Sequence, residues 1–290
     1  MNKNNPLGSK NLKRTFVWCV LCILFAASLI SPFSTQVFAS QNTQPLLIPN
    51  PALQYSGEHH SFIVGFSDGS FRPEATITRA QAATIFFRLM SDTDRTAYWM
   101  QQNPFIDVEI NSWYNNAIST TASAGLISGM PDGSFRPNRP ITRAEFAVII
   151  TNITNVAHYS MPLFCDIHGH WAEEEINAAA HHGWINGYEG LGGRFLPDQA
   201  ITRAEAAAII CRAYGRRPNS PSNLLTGMHI FTDNTNPSAW YYLYIQEAAN
   251  SHKYVMMPDG IYEAWEELIY PERPWALLEL PTAGPLDILR

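Results

Sequence analysis

Three arginines stand at the same place in a recurring phrase. Arg79, Arg143 and Arg203 each follow an Ile-Thr pair and precede alanine, in ITRAQ, ITRAE and ITRAE. Thr78, Thr142 and Thr202 fit helix N-caps, and Gln81, Glu145 and Glu205 three residues later complete capping boxes, so threonine and glutamate have an architectural explanation. Arginine does not, because the helix macrodipole disfavours a cation at the first helical position. The chemistry a guanidinium offers there is anion recognition: a helix N-terminus presents N–H groups, and arginine adds a two-pronged donor for a carboxylate. The competing reading is a structural salt bridge, with Asp107, Asp166 or Asp233 as partner.

The phrase around each arginine is longer. GFSDGSFRPEATITRAQAA begins at Gly65, GMPDGSFRPNRPITRAEFA at Gly129, and GYEGLGGRFLPDQAITRAEAA at Gly187. Asp68-Gly69 and Asp132-Gly133 are turn signals, and Pro73, Pro137 and Pro197 stiffen the approach to the helix. Along each helix one face is apolar at i, i+3, i+4 and i+7: Ala82, Ile85, Phe86 and Leu89, then Phe146, Ile149, Ile150 and Ile153, then Ala206, Ile209, Ile210 and Ala213. A front half precedes the second and third phrases, and another follows the third. Each opens on Phe105-x-Asp107, Phe164-x-Asp166 or Phe231-x-Asp233, reaches Trp113, Trp171 or Trp240, and predicts a second helix that Gly125 and Gly183 end in the C′ role. His252 takes that glycine's place in the last copy, so its exit differs. No stretch shows a run of β-alternation.

Gly129 and Gly187 follow Trp113 and Trp171 by 16 residues, whereas the same step back from Gly65 meets no tryptophan. The mature chain thus holds three back halves and three front halves out of step by one. Closure of the last front half onto the first back half would complete a threefold set. The tryptophans, taken singly, read as core plugs, with a sugar-stacking face as the other reading. Gly65 and Gly129 serve a turn or a close backbone approach to a ligand. The third loop has two extra residues and no Asp-Gly, and Leu196 stands where Arg72 and Arg136 precede proline.

Residues 1–39 read as a secretory signal: a basic start, an apolar run from Phe16 to Ile30, and Val37-Phe38-Ala39 before the cleavage point. That run of about 15 residues is short of the roughly 20 a spanning helix needs. Four of the 19 Lys and Arg lie in the signal and none of the 25 Asp and Glu does, which leaves the mature chain near −10. Such a balance argues against nucleic-acid binding. Cys165 and Cys211 read as isolated buried apolar side chains, with a disulfide as the alternative. His168, His170, His181 and His182 are too far apart along a helix for one ion, and Glu173, Glu174 and Glu175 suit a helix start.

The order F-x-D, tryptophan, G-h-x-D-G-x-F-x-P and I-T-R-A-E, across roughly residues 55–255, resembles the surface-layer homology (SLH) domains of bacterial cell-envelope proteins. The resemblance implies an all-α fold, a pseudo-threefold spindle of helix-loop-helix repeats about a central bundle. It implies grooves between repeats that hold an anionic, pyruvylated secondary cell-wall polysaccharide, linked to peptidoglycan, without covalent attachment. The organisation expected is a signal peptide (1–39), a linker (40–60), the back half of repeat 1 (61–104), repeat 2 (105–163), repeat 3 (164–228), a closing front half (229–257) and a degenerate tail (258–290). The candidate glycan-binding residues are Arg79, Arg143, Arg203, Thr78, Thr142, Thr202, Gly65, Gly129, Asp68, Asp132, Trp113, Trp171 and Trp240. No cofactor, metal, nucleic acid or transmembrane span is expected, and other envelope proteins are further partners. The location implied is the cell wall or S-layer. The repeats leave no stretch long enough for a catalytic domain, so a wall-glycan hydrolase ranks below an anchor or an interaction scaffold.

Overall fold

The computed structural model describes residues 56–284 apart from 155, 157–160 and 189–192. The signal read at 1–39 and all but the end of the 40–60 linker lie outside the described residues. In chain order the elements are β1 (Ser56–His59), α1 (Arg79–Leu89), α2 (Asp92–Ala97), α3 (Asn115–Ser123), α4 (Arg143–Thr154), α5 (Glu173–His181), α6 (Arg203–Ala213), a 3-10 turn (Pro221–Asn223), α7 (Tyr242–Ala249), β2 (His252–Met256), β3 (Glu263–Leu268) and α8 (Trp275–Glu279). Most of the regular structure is helical, and no helix among the described residues is long and apolar enough to cross a membrane.

Helices α1, α4 and α6 begin at the three arginines because the threonine before each closes a capping box. Thr78 Oγ1 accepts from the Gln81 amide at 3.2 Å while Gln81 Oε1 accepts from the Thr78 amide at 2.9 Å. The Thr142–Glu145 and Thr202–Glu205 boxes repeat this within 0.1 Å. Such a cap is worth about 1 kcal/mol. Helices α3 and α5 end at Gly125 and Gly183, with φ 71° and 72°. Without that glycine, α7 leaves through Asn250 in an extended conformation and runs into β2.

Each back helix packs on a front helix, α1 on α3, α4 on α5 and α6 on α7. Their apolar stripes join one core cluster. Three buried isoleucines tie the back halves into a closed ring of backbone hydrogen bonds: Ile77 N donates to Ile201 O (3.2 Å), Ile201 N to Ile141 O (3.1 Å), and Ile141 N to Ile77 O (3.0 Å). The ring leaves no edge to continue, since each donor's own carbonyl is the next acceptor.

The all-α expectation needs correction. β1, β2 and β3 form an antiparallel sheet in that order, with Ser56 opposite Val255 and His59 opposite His252. β1 lies nearly 200 residues before β2 in the chain, and it is the four-residue SGEH, too short and too polar to show alternation. Residues 56–59, read as linker, thus form a strand. The tail, though decayed as a repeat, is packed: Trp275 and Leu278 are buried against Phe87 and Ala117, and Asn116 Nδ2 donates to Leu280 O at 2.7 Å. Cys211 is in the core but Cys165 is exposed, so the buried reading fails for Cys165, and no disulfide joins the two.

Candidate functional site

Each F-x-D aspartate clamps a loop. Asp107 accepts the Phe135 and Arg136 amides at 2.6 and 2.8 Å. Asp166 accepts those of Phe195 and Leu196, both at 2.8 Å, and Asp233 those of Phe71 and Arg72 at 2.8 and 2.7 Å. The second residue of each pair sits at φ 60°, 58° or 58°, a region costly for a side chain with a Cβ. A carboxylate held by two N–H groups compensates for that strain. Asp107, Asp166 and Asp233 are therefore occupied by backbone, and the arginines find other partners. The phenylalanine of each motif packs where a glycine stands: a Cβ on Gly65 would overlap the Phe231 ring, one on Gly129 the Phe105 ring, and one on Gly187 would lie 2.8 Å from Phe164. Asp68 and Asp132 each accept a serine hydroxyl and amide and an arginine from their own turn. Those bonds, the Ser70 and Ser134 hydroxyls first, hold both carboxyls well below the usual range.

The helix N-termini are less open than expected. The Arg79 and Ala80 amides donate to Arg139 O and Pro137 O, those of Arg143 and Ala144 to Gln199 O and Pro197 O, and those of Arg203 and Ala204 to Ala75 O and Pro73 O, at 2.8–3.0 Å. The N–H groups read as free for an anion are satisfied by a neighbouring repeat, because the ring of isoleucines brings the next loop against each helix start.

The three guanidiniums are buried and reach the same way, each into the next repeat in the ring. Arg79 donates through Nε to Phe135 O (2.8 Å), through Nη2 to Ser128 O (2.5 Å) and through Nη1 to Glu145 (2.8 Å). Arg143 copies this with Phe195 O (2.9 Å), Asn186 O (3.0 Å) and Glu205 (2.8 Å). Arg203 keeps the carbonyls, Phe71 O at 2.7 Å and Val64 O at 2.9 Å. It has no carboxylate within ion-pair distance among the described residues, because the place of Glu145 and Glu205 is taken by Gln81. Burial pushes the Arg203 guanidinium down to about 10; Arg72 and Arg88 add to the push and Asp233 opposes it. At neutral pH it remains a cation.

A cavity of about 160 Å³ opens at this arginine. Its walls include Arg203, Gln81, Thr84, Arg88, Phe66 and Trp113. Arg88, which lies at the end of α1, was not singled out in the sequence. Its position one turn beyond Thr84 on the helix face next to Gln81 was the available signal. The tryptophans are not core plugs: Trp113, Trp171 and Trp240 are 50%, 65% and 55% exposed. They sit before the helices rather than within them, where the front-half isoleucines Ile118, Ile176 and Ile245 fill the core instead.

The profile of the S-layer homology domain matches residues 59–83, 104–147 and 163–207. The chain belongs to the proteins that carry this domain. It is 37% identical over 212 residues to cell surface glycoprotein 1 of Acetivibrio thermocellus, covering 69% of this chain and 9% of that protein. It is 34% identical over 212 residues to a cellulosome-anchoring protein of the same organism, 71% of this chain and 45% of that protein. An S-layer protein of Bacillus licheniformis is 32% identical over 170 residues, 56% and 18% of the respective lengths. The chain thus spans less than half of each of these relatives.

Proposed function

We propose that this protein anchors non-covalently at the bacterial cell surface by binding an anionic secondary cell-wall polysaccharide. The observation that carries this reading is the Arg203 groove. Arg79 and Arg143 each give Nη1 to Glu145 or Glu205, whereas Arg203 has no carboxylate at ion-pair distance among the described residues and lies beside an exposed tryptophan face. A sugar carboxylate, such as a pyruvyl ketal, supplies the anion that Gln81 does not, and the ring to which it is attached stacks on Trp113. The names of the relatives, a cellulosome-anchoring protein and S-layer protein among them, agree with a surface role.

In this reading the module is a pseudo-threefold spindle of three circularly shifted repeats. The front half at 229–257 completes the first back half, with Phe231 and Asp233 set on the Gly65–Arg72 loop as Phe105 and Asp107 are on the Gly129–Arg136 loop. Residues 1–39 act as the export signal, and the protein works in the envelope as an anchor rather than an enzyme.

Gln81→Glu tests the groove with the fold intact. It places a carboxylate where Glu145 and Glu205 stand relative to their arginines, so Arg203 pairs internally. Sedimentation with purified cell walls is expected to show at least tenfold weaker retention, matching the loss seen when the polymer is stripped from wild-type assays. Retention unchanged in both comparisons would remove the proposal and leave an interaction scaffold; sugar release would indicate a hydrolase.

A further inference from the structure

Where the two ends of the described chain meet, four titratable side chains are sealed together. β1 supplies His59, α7 Glu247, β2 His252 and β3 Glu263, all buried. His59 Nδ1 lies 3.5 Å from Glu247 Oε1, and His252 Nε2 lies 3.5 Å from Glu247 Oε2 and 3.1 Å from Glu263 Oε1. Four ligands about 2.0–2.2 Å from a tetrahedral zinc ion are roughly 3.3–3.6 Å from one another. One ligand atom each from His59, Glu247 and His252 can be chosen with all separations within 4.8 Å.

Proton placement at His252 points to a cation. Its Nδ1 is 2.9 Å from Asn250 O, which can only accept, so Nδ1 carries the proton. In the neutral ring the Nε2 lone pair then faces two carboxylates, which when ionised have no proton to give. Among the described residues Glu247 Oε1, His59 Nε2 and Arg216 Nη2 have no hydrogen-bond partner. Around these atoms an outer layer is in place. Trp265 Nε1 donates to Glu247 Oε2 at 3.0 Å, and Arg216 Nε donates to Glu263 Oε2, leaving Glu263 Oε1 turned toward His252. A histidine oriented by a backbone carbonyl and carboxylates oriented by donors are the outer arrangement that metal ligands use. Arg216 Nη2, 3.6 Å from Glu247 Oε1, faces the cluster as well, and Tyr254 lies under the guanidinium. With both carboxylates ionised and the imidazoles neutral, one arginine against two carboxylates leaves one negative charge in excess. A cavity of about 320 Å³ lined by His59, Tyr254 and Arg216 reaches the cluster from outside.

We propose that His59, Glu247 and His252 bind one divalent transition-metal ion, with zinc the best fit to two imidazoles and a carboxylate, and with Glu263 beside His252 at the edge of the site. The ion ties β1 to α7 and to the β2–β3 hairpin, fastening the beginning of the domain to its end. This site is remote from Arg203 in role and independent of the glycan reading.

The full chain, stripped of metal by dialysis against a chelator, is titrated with Co²⁺ and then Zn²⁺ near pH 7.5. The expected result is one equivalent bound, a visible Co²⁺ absorption of a four-coordinate nitrogen–oxygen site that Zn²⁺ displaces, and a melting midpoint several degrees higher with metal. Glu247→Gln and His252→Asn are expected to weaken binding at least tenfold. If either variant does not fold, the wild-type titration alone decides. Absence of a stoichiometric Co²⁺ or Zn²⁺ site in the wild type overturns the proposal, as does undiminished binding in folded Glu247→Gln. So does a melting midpoint indifferent to metal and chelator but falling as pH rises, which would assign the missing cation to a proton shared by the carboxyls.

Discussion

Arg143 and Arg203 occupy the same position in their helices and hold the same pair of loop carbonyls, yet they differ in one partner. Arg143 closes on Glu205, which also accepts from Tyr188 Oη at 2.8 Å. Arg203 meets Gln81, whose carbonyl oxygen is already used by the Thr78 amide. A buried guanidinium with its carboxylate is a finished structural element. One without it keeps a positive potential in a low-dielectric wall, where an external anion interacts more strongly than in water. The repeat that departs from ITRAE by a single residue is therefore the one that leaves the arginine reaching it without a carboxylate partner among the described residues.

The largest expected effect comes from the finished site. Arg143→Met leaves Glu205 and two carbonyls without their buried cation and is expected to cost about 3–5 kcal/mol. Arg203→Met strands no carboxylate and is expected to cost clearly less in the same denaturant titration. Equal losses would show that the two arginines are energetically alike and erase the contrast. Next is Gly65→Ala, whose methyl group would overlap Phe231 and lie 3.0 Å from Ser70 O; about 1–3 kcal/mol of destabilisation is expected from overpacking. A neutral outcome would mean that the clamp between the last front half and the first loop is loose.

Glu205→Gln runs the comparison in reverse, freeing Arg143 as Arg203 is free. In a Gln81→Glu background it is expected to restore part of the tenfold loss of wall retention, a gain of roughly 1 kcal/mol or less. Failure to restore any would make the Arg203 groove special for reasons beyond its missing carboxylate. The smallest effect on stability belongs to Trp113→Ala, within about 0.5 kcal/mol for so exposed a side chain. Wall retention is expected to fall several-fold all the same. A variant that melts early while binding normally would return Trp113 to a packing role.

Much of the fold was legible because its signals are local. The capping boxes, the apolar stripes of α1, α4 and α6, and the glycines ending α3 and α5 each lie within a few residues of one another. The sheet was not legible, since β1 meets β2 only after the chain has come full circle. The surroundings of the three arginines were half legible. Arginine at a helix start was correctly unusual, but its partner lies 62 or 66 residues away in the next repeat. No spacing within one copy could show that Glu145 serves both its own cap and Arg79. The exposed tryptophans were misread because helix periodicity assigns faces only inside a helix, and these residues precede theirs. The His59–Glu247–His252–Glu263 cluster gave no sequence signal, being gathered from four elements.

By itself the sequence determined the repeat, its helices, its threefold count and its SLH character, because turns, caps and apolar periodicity are interactions between near neighbours. Tertiary structure decided which arginine lacks a carboxylate partner among the described residues, which loop carbonyls take up the helix-start amides, and how β1 joins β2. Those outcomes depend on which repeat each side chain reaches once the ring has closed, and a buried charge takes its character from whatever partner it meets there.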